Sequence, residues 1–151
     1  MAVHLLVVPA EVEYDGRCFG CGPLNHEGLA MTFVPAGEGT SVCDSYVVPD
    51  RFQSWKGVVH GGIVALILDE AVGWAAWHAG HPGVTGKLEV RYRQPLQLGE
   101  QVRVVGRVDE VRRSLVRCTA WIDRRSDGTR IAEATSTLMD VGEVRTEAPA
   151  G

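Results

Sequence analysis

From His60 to Ala79 the chain reads HGGIVALILDEAVGWAAWHA, apolar on nearly every side of a helix, with only Asp69 and Glu70 breaking the run in its middle. A helix without a polar face is a buried helix. Gly80-His81-Pro82-Gly83 ends it, because glycine closes a helix C-terminus and proline cannot continue one. The period then changes to two. In Val84–Tyr92, Leu88, Val90 and Tyr92 point one way; Lys87, Glu89 and Arg91, with Arg93 beyond, point the other. Gln101–Val111 and Leu115–Arg124 are rich in β-branched residues and flank a charged turn at Arg112–Ser114. Arg125-Ser126-Asp127-Gly128 is a hairpin turn leading to a last strand, Ile131–Val141. Upstream, Leu29–Val34 and Ser41–Val48 form a strand pair around Ala36–Gly39, after a turn-rich stretch from Cys18 to Gly28. A loop over Pro49–Val59 leads into the helix. The pattern predicts an α+β domain over 18–142, with one long central helix and five to six antiparallel strands. Residues 1–17 read as a lead-in and 143–151 as a polar tail.

A helix that is apolar all round needs apolar cover all round, and one sheet covers only part of it. The remainder calls for a second copy of the chain or a ligand. Trp55, Trp74, Trp77 and Trp121 offer large contact area for either. Buried carboxylates cost several kcal/mol unless paired, protonated or used, so Asp69 and Glu70 are the first candidates for chemistry.

Length and charge narrow the classes. At 151 residues the prior is a single domain, and a formal net charge of −4 carries no footprint of nucleic-acid binding. The apolar run near the N-terminus lacks the basic flank of a signal peptide. The two acids also argue against reading the helix as a membrane span. Four cysteines do not make a disulfide scaffold at this length, so the expected compartment is the cytoplasm.

His60-Gly61-Gly62 at the helix start adds to the acid. First-turn N–H groups have no intrahelical acceptor and carry the positive end of the helix dipole. Glycine there lets a carbonyl approach the backbone, as an oxyanion hole requires. Alone, such a glycine pair also suits tight packing beside a structural histidine; the mid-helix acid favours the chemical reading. Gly61 and Asp69 are eight residues apart, about 12 Å along one helix, too far to meet at one carbonyl carbon. If both act on one substrate, they come from different chains, and a two-fold dimer gives two equivalent composite sites.

The segment Gly57–Ala76, GVVHGGIVALILDEAVGWAA, resembles the helix of hotdog-fold acyl-CoA thioesterases, in particular the phenylacetate-pathway branch and the thioesterase superfamily member proteins. The resemblance continues through VTGKLEVRYRQPLQLGEQVRVVGRV (Val84–Val108) and AEATSTLMDV (Ala132–Val141), and CFGCGPLNHEGL is similar to the lead-in of one subgroup. It implies a hotdog fold, a thioester hydrolase acting on acyl-CoA, and a homodimer that pairs into a homotetramer, with coenzyme A as part of the substrate and no separate cofactor. By the resemblance Asp69, nine residues after His60, is the catalytic acid, acting as base or nucleophile from the partner subunit. The Gly61 N–H is the oxyanion contact, and Thr85, sixteen residues beyond the acid, holds the water or the carboxylate. Glu70 lies about 100° round the helix and is the lesser candidate. Some relatives carry an Asn six residues before the histidine; Ser54 stands there in this chain, so Gln53 and Ser54 become candidate substrate contacts beside His60, which fixes the loop, and Gly62. Coenzyme A phosphates call for a basic rim, with candidates Lys56, Lys87, Arg91, Arg93, Arg112 and Arg113, of which the Arg112–Arg113 turn suits the nucleotide end. Trp74 and Trp77, about one turn past the acid, favour short, medium or aromatic acyl groups. The competing reading is a non-catalytic acyl-CoA-binding protein of the same fold.

Cys18-x-x-Cys21 is half of a zinc or redox motif. A structural zinc usually takes two such pairs, and only Cys43 and His26, irregularly spaced, remain to complete one. No metal is expected on this spacing.

Overall fold

The computed structural model of the chain describes residues 12–146. In chain order the strands are β1 (Val12–Tyr14), β2 (Val34–Pro35) and β3 (Thr40–Val47). The helix α1 (Gly61–His78) follows, then β4 (Gly83–Tyr92), β5 (Gln101–Arg112), β6 (Leu115–Arg124), β7 (Arg130–Asp140) and β8 (Val144–Thr146). Six strands make one antiparallel sheet in the order β2-β3-β5-β6-β7-β4. The helix lies across one face of it, against β3 to β7. This is the hotdog arrangement. No helix among the described residues is long and apolar enough to cross a membrane.

Two periodicities meet in the core. Every second residue of β6 and β7 points at the helix: Val116, Cys118, Ala120 and Ile122, then Ala132, Ala134, Ser136 and Leu138, all buried. The helix answers at helical spacing with Val64, Ile67, Leu68, Ala71, Val72, Ala75 and Ala76. Its other side, with Ile63, Leu66, Asp69, Glu70, Gly73, Trp74 and Trp77, is half-buried in one chain. The helix is thus covered on one side by its own sheet and left with a largely apolar second face. The helix C-terminus closes as expected: Gly80 takes φ +84°, Gly80 N–H donates to the Trp77 carbonyl at 3.0 Å and His81 N–H to the Ala76 carbonyl at 2.9 Å.

Helix and sheet approach closely at Gly106 of β5. A Cβ there would lie 2.0 Å from the Ala71 carbonyl oxygen. Backbone cannot yield as a flexible side chain does, so Gly106→Ala should cost about 2–4 kcal/mol and lower Tm by about 6–12 °C in calorimetry. An unchanged Tm would mean that helix and sheet do not touch here.

One expectation is corrected, and a second gains detail. Leu29–Val34 is not a strand over its length: only Val34 and Pro35 pair with β3. Ala30 sits at φ +50°, and the Leu29 and Met31 N–H groups donate to the Phe19 and Gly20 carbonyls at 2.8 and 3.0 Å, so the segment clasps the preceding loop while Leu29, Met31 and Phe33 enter the core. The expected lead-in and tail are also structured where they are described. Val12–Tyr14 and Val144–Thr146 pair in parallel as a small second sheet; residues 1–11 and 147–151 lie outside the described residues.

Candidate active site

The helix start is built by its neighbours. His60 is the N-cap, and its Nδ1 accepts the Gly62 N–H at 2.9 Å. The His60 carbonyl takes the Ile63 and Val64 N–H groups at 2.9 and 3.1 Å. Gly61 N–H is left without an acceptor among the described residues, at an exposed position. The Tyr92 hydroxyl donates to the Gly61 carbonyl at 2.7 Å and steadies this turn. The preceding loop is clamped: Val59 N–H donates to the Leu96 carbonyl at 2.8 Å and Leu98 N–H to the Gly57 carbonyl at 2.9 Å. Gln53 and Ser54 serve that clamp. Gln53 Oε1 accepts the Gly57 N–H at 2.8 Å, and Ser54 Oγ donates to the Val58 carbonyl at 3.2 Å. The Gln53 side-chain carbonyl is thereby engaged within the loop, whereas Ser54 also lines a cavity of about 570 Å³ with Gly61, Trp55, Tyr92 and Arg93.

Two turns on, Asp69 is half-buried and accepts a hydrogen bond from Thr85 Oγ1 at 2.6 Å on Oδ1. Strict alternation would send Thr85 outward with Lys87 and Glu89. The β4–β7 register slips between Thr85 and Lys87, so Thr85 pairs with Leu138 and shares its inward face. Asp69 and Thr85 line a cavity of about 590 Å³ whose walls include Gly73, Trp74 and Trp77. The Trp74 and Trp77 rings lie 6.0 Å apart. The last turn is held by buried Ser41, whose Oγ donates to the Trp74 carbonyl at 3.2 Å and lies 2.5 Å from His78 Nδ1. Burial lowers the His78 pKa.

The Gly61 and Asp69 cavities share no lining residue. One chain therefore holds the donor and the acid apart. Among the basic candidates, Arg93 pairs with Glu133 at 2.5 Å. Arg91 is not brought to either cavity. It lies on the sheet face away from the helix, in a larger cavity of about 710 Å³ with Arg107, Trp121 and Arg130, because β4 alternation points it opposite Val90. Arg112 and Arg113 are exposed at the β5–β6 turn, where Ser114 accepts the Asp140 N–H and Met139 pairs with both Leu115 and Val84. That is the end of the sheet where Gly83 and Thr85 lie.

Glu70 turns toward the N-terminal loop, where Cys18 Sγ donates to its Oε1 at 3.2 Å. Sequence reasoning missed this contact. Gly20 was its trace, since a Cβ there would lie 2.2 Å from the Glu70 carboxyl carbon. Cys43 and His26 do not join the cysteine pair: Cys43 is buried in the core and His26 is exposed.

A sequence model described as Thioesterase superfamily matches residues 56–131. Human acyl-coenzyme A thioesterase 13 is 26% identical over 109 residues, which are 71% of this chain and 77% of that protein. The crystal structure of zebrafish thioesterase superfamily member 2 aligns with TM-score 0.71 at 22% identity over 82% of this chain and 91% of that one. The structure of smu.793 from Streptococcus mutans UA159, bound to acetyl CoA, aligns with TM-score 0.69 at 21% identity over 82% and 99% of the two chains.

Proposed function

Since the chain belongs to the thioesterase superfamily, we propose that it hydrolyses acyl-CoA thioesters to a carboxylic acid and free coenzyme A, at sites shared between two copies of the chain. One observation carries this reading. Asp69, held by Thr85 in a cavity lined by tryptophans, lies mid-helix, two turns along the half-buried helix face from a Gly61 N–H that has no acceptor among the described residues. Two helices packed antiparallel through those faces bring the Gly61 start of one against the mid-helix Asp69 of the other, twice, by symmetry. The half-buried, mostly apolar second face of α1 supports such pairing. A homodimer is then the minimal active unit, and a dimer of dimers is the expected assembly.

In the composite site the thioester carbonyl oxygen accepts the Gly61 N–H, which stabilises negative charge as it develops there. The carboxylate at position 69 of the twin chain acts on the carbonyl carbon. As a base it takes a proton from water, whose oxygen adds to the carbon; as a nucleophile it adds first and water then opens the anhydride. On either route the carbon–sulfur bond breaks, the thiolate leaves, and the proton released from water balances it. Thr85 holds one carboxylate oxygen in place and leaves the other for the reaction. No cofactor is called for in these steps.

Relatives support the substrate class: one is named an acyl-coenzyme A thioesterase and another binds acetyl CoA. We assign Arg112 and Arg113 to the nucleotide phosphates, because the chain that supplies the carboxylate brings this turn to the same end of the sheet. Trp74 and Trp77 limit the acyl cavity. Across an acyl-CoA series, kcat/KM should therefore favour short, medium or aromatic acyl groups and fall by about tenfold or more for palmitoyl-CoA. A preference for palmitoyl-CoA would overturn the assignment of that cavity to the acyl tail.

A further inference from the structure

The loop at Cys18–Gly28 and the helix meet in a cluster that the hydrolytic reading does not use. Cys18 Sγ, Cys21 Sγ and a Glu70 carboxylate oxygen all lie within 4.8 Å of one another, each half-buried. The Tyr14 hydroxyl adds a fourth polar atom, 3.8 Å from Cys21 Sγ. We propose that Cys18, Cys21 and Glu70 bind one soft divalent cation of the zinc class, which fastens the N-terminal loop to α1 and so fixes one wall of the Asp69 cavity.

The donor set fits such an ion. Zinc takes thiolate and carboxylate ligands at about 2.3 and 2.0–2.2 Å in a tetrahedron, which puts neighbouring ligand atoms about 3.5–3.8 Å apart. Cys18 Sγ and Glu70 Oε1 are already at 3.2 Å. Three protein ligands leave a fourth position for water or for Tyr14, and all four residues line the cavity that holds Asp69 and Thr85.

The loop is shaped for this contact. Gly20, between the cysteines, passes so close to Glu70 that any side chain would collide with its carboxyl carbon. Gly22 N–H closes a turn onto the Cys18 carbonyl at 2.8 Å, which keeps the two thiols on one side of the loop. The two thiols and the Glu70 carboxyl crowd one another, each half-buried. A divalent cation reverses that crowding: both thiols give their protons to solvent and three negative ligands face two positive charges. The linear sequence pointed away from a metal because it lacks a second cysteine pair; the third ligand comes instead from 49 residues beyond Cys21, across the fold.

The test is a cobalt(II) titration of the whole chain, prepared without a polyhistidine tag and with its thiols reduced. One cobalt per chain should bind with thiolate-to-metal charge-transfer absorption and the strong visible bands of tetrahedral coordination, and zinc should displace it. Affinity should rise with pH, since binding releases thiol protons. Cys21→Ser should abolish the charge-transfer signal, and Glu70→Gln should weaken binding by about tenfold or more while the signal persists at saturation. Absence of charge-transfer absorption with excess cobalt on the reduced wild-type chain would overturn the site, whether or not the variants fold. So would a Cys18–Cys21 disulfide in the purified protein together with no metal uptake after reduction. None of these readouts depends on hydrolysis, so the cation site and the thioesterase reading fail separately.

Discussion

Asp69→Asn is expected to lower kcat for acyl-CoA hydrolysis by about 10²–10⁴-fold, with substrate binding largely retained. The exchange keeps size and shape, and the Thr85 hydroxyl, now 2.6 Å from Oδ1, still has an oxygen to donate to. What it removes is the capacity to take a proton or to attack carbon. The loss should therefore fall on kcat and leave KM nearly unchanged, as for a group that acts in the transition state. Release of coenzyme A with a thiol reagent measures it, with an enzyme blank because the chain's own four cysteines react. An unaltered rate would remove Asp69 from the chemistry. No turnover by wild type across a broad acyl-CoA panel, with binding intact, would favour the non-catalytic acyl-CoA-binding reading.

Gly61→Pro addresses the other half of the site, and removes a single hydrogen-bond donor without touching a side chain. Gly61 is the first residue of the helix, a position proline tolerates because its N–H has no intrahelical partner. His60, at φ −59° and ψ 132°, already has the extended conformation a residue before proline needs. A Cβ at position 61 meets the Tyr92 ring at no closer than 3.7 Å, an ordinary contact. Helix content and Tm should hold, while kcat falls by about 10²–10³-fold. The stronger result comes from mixing. If donor and acid belong to different chains, a heterodimer of Gly61→Pro with Asp69→Asn has one site with both defects and one with neither. Random exchange of equal amounts should then restore about a quarter of wild-type activity from two nearly inactive proteins. A site within one chain gives no recovery, and that outcome ends the two-chain proposal.

Between them these experiments test geometry that the sequence made visible unevenly. The helix follows from its long apolar run, its end from the glycines and proline at Gly80–Gly83, and the strands after it from a period of two. The strand pair before it was less legible: a positive φ at Ala30, an ordinary residue, carries no signal in the letters. Thr85 is the sharper case. Alternation places it outward, and only the family resemblance nominated it. A register slip at Gly86 turns it to Asp69, and a glycine inside a strand was the one local hint. Arg91 shows the reverse: charge alone suggested a phosphate contact, and the same alternation that fixes Val90 inward carries it to the far face of the sheet.

Taken alone, the chain of letters determined one α+β domain with a central helix, an acid set in an apolar segment and a glycine pair at a dipole end. These are local patterns, written at fixed spacing by the geometry of helix and strand. Tertiary structure alone decided that Glu70 meets two cysteines about fifty positions away, that Gln53 braces a loop, and that donor and acid open into separate cavities. Such contacts depend on how the loops close and how far strands slip in register, and neither leaves a period in the sequence.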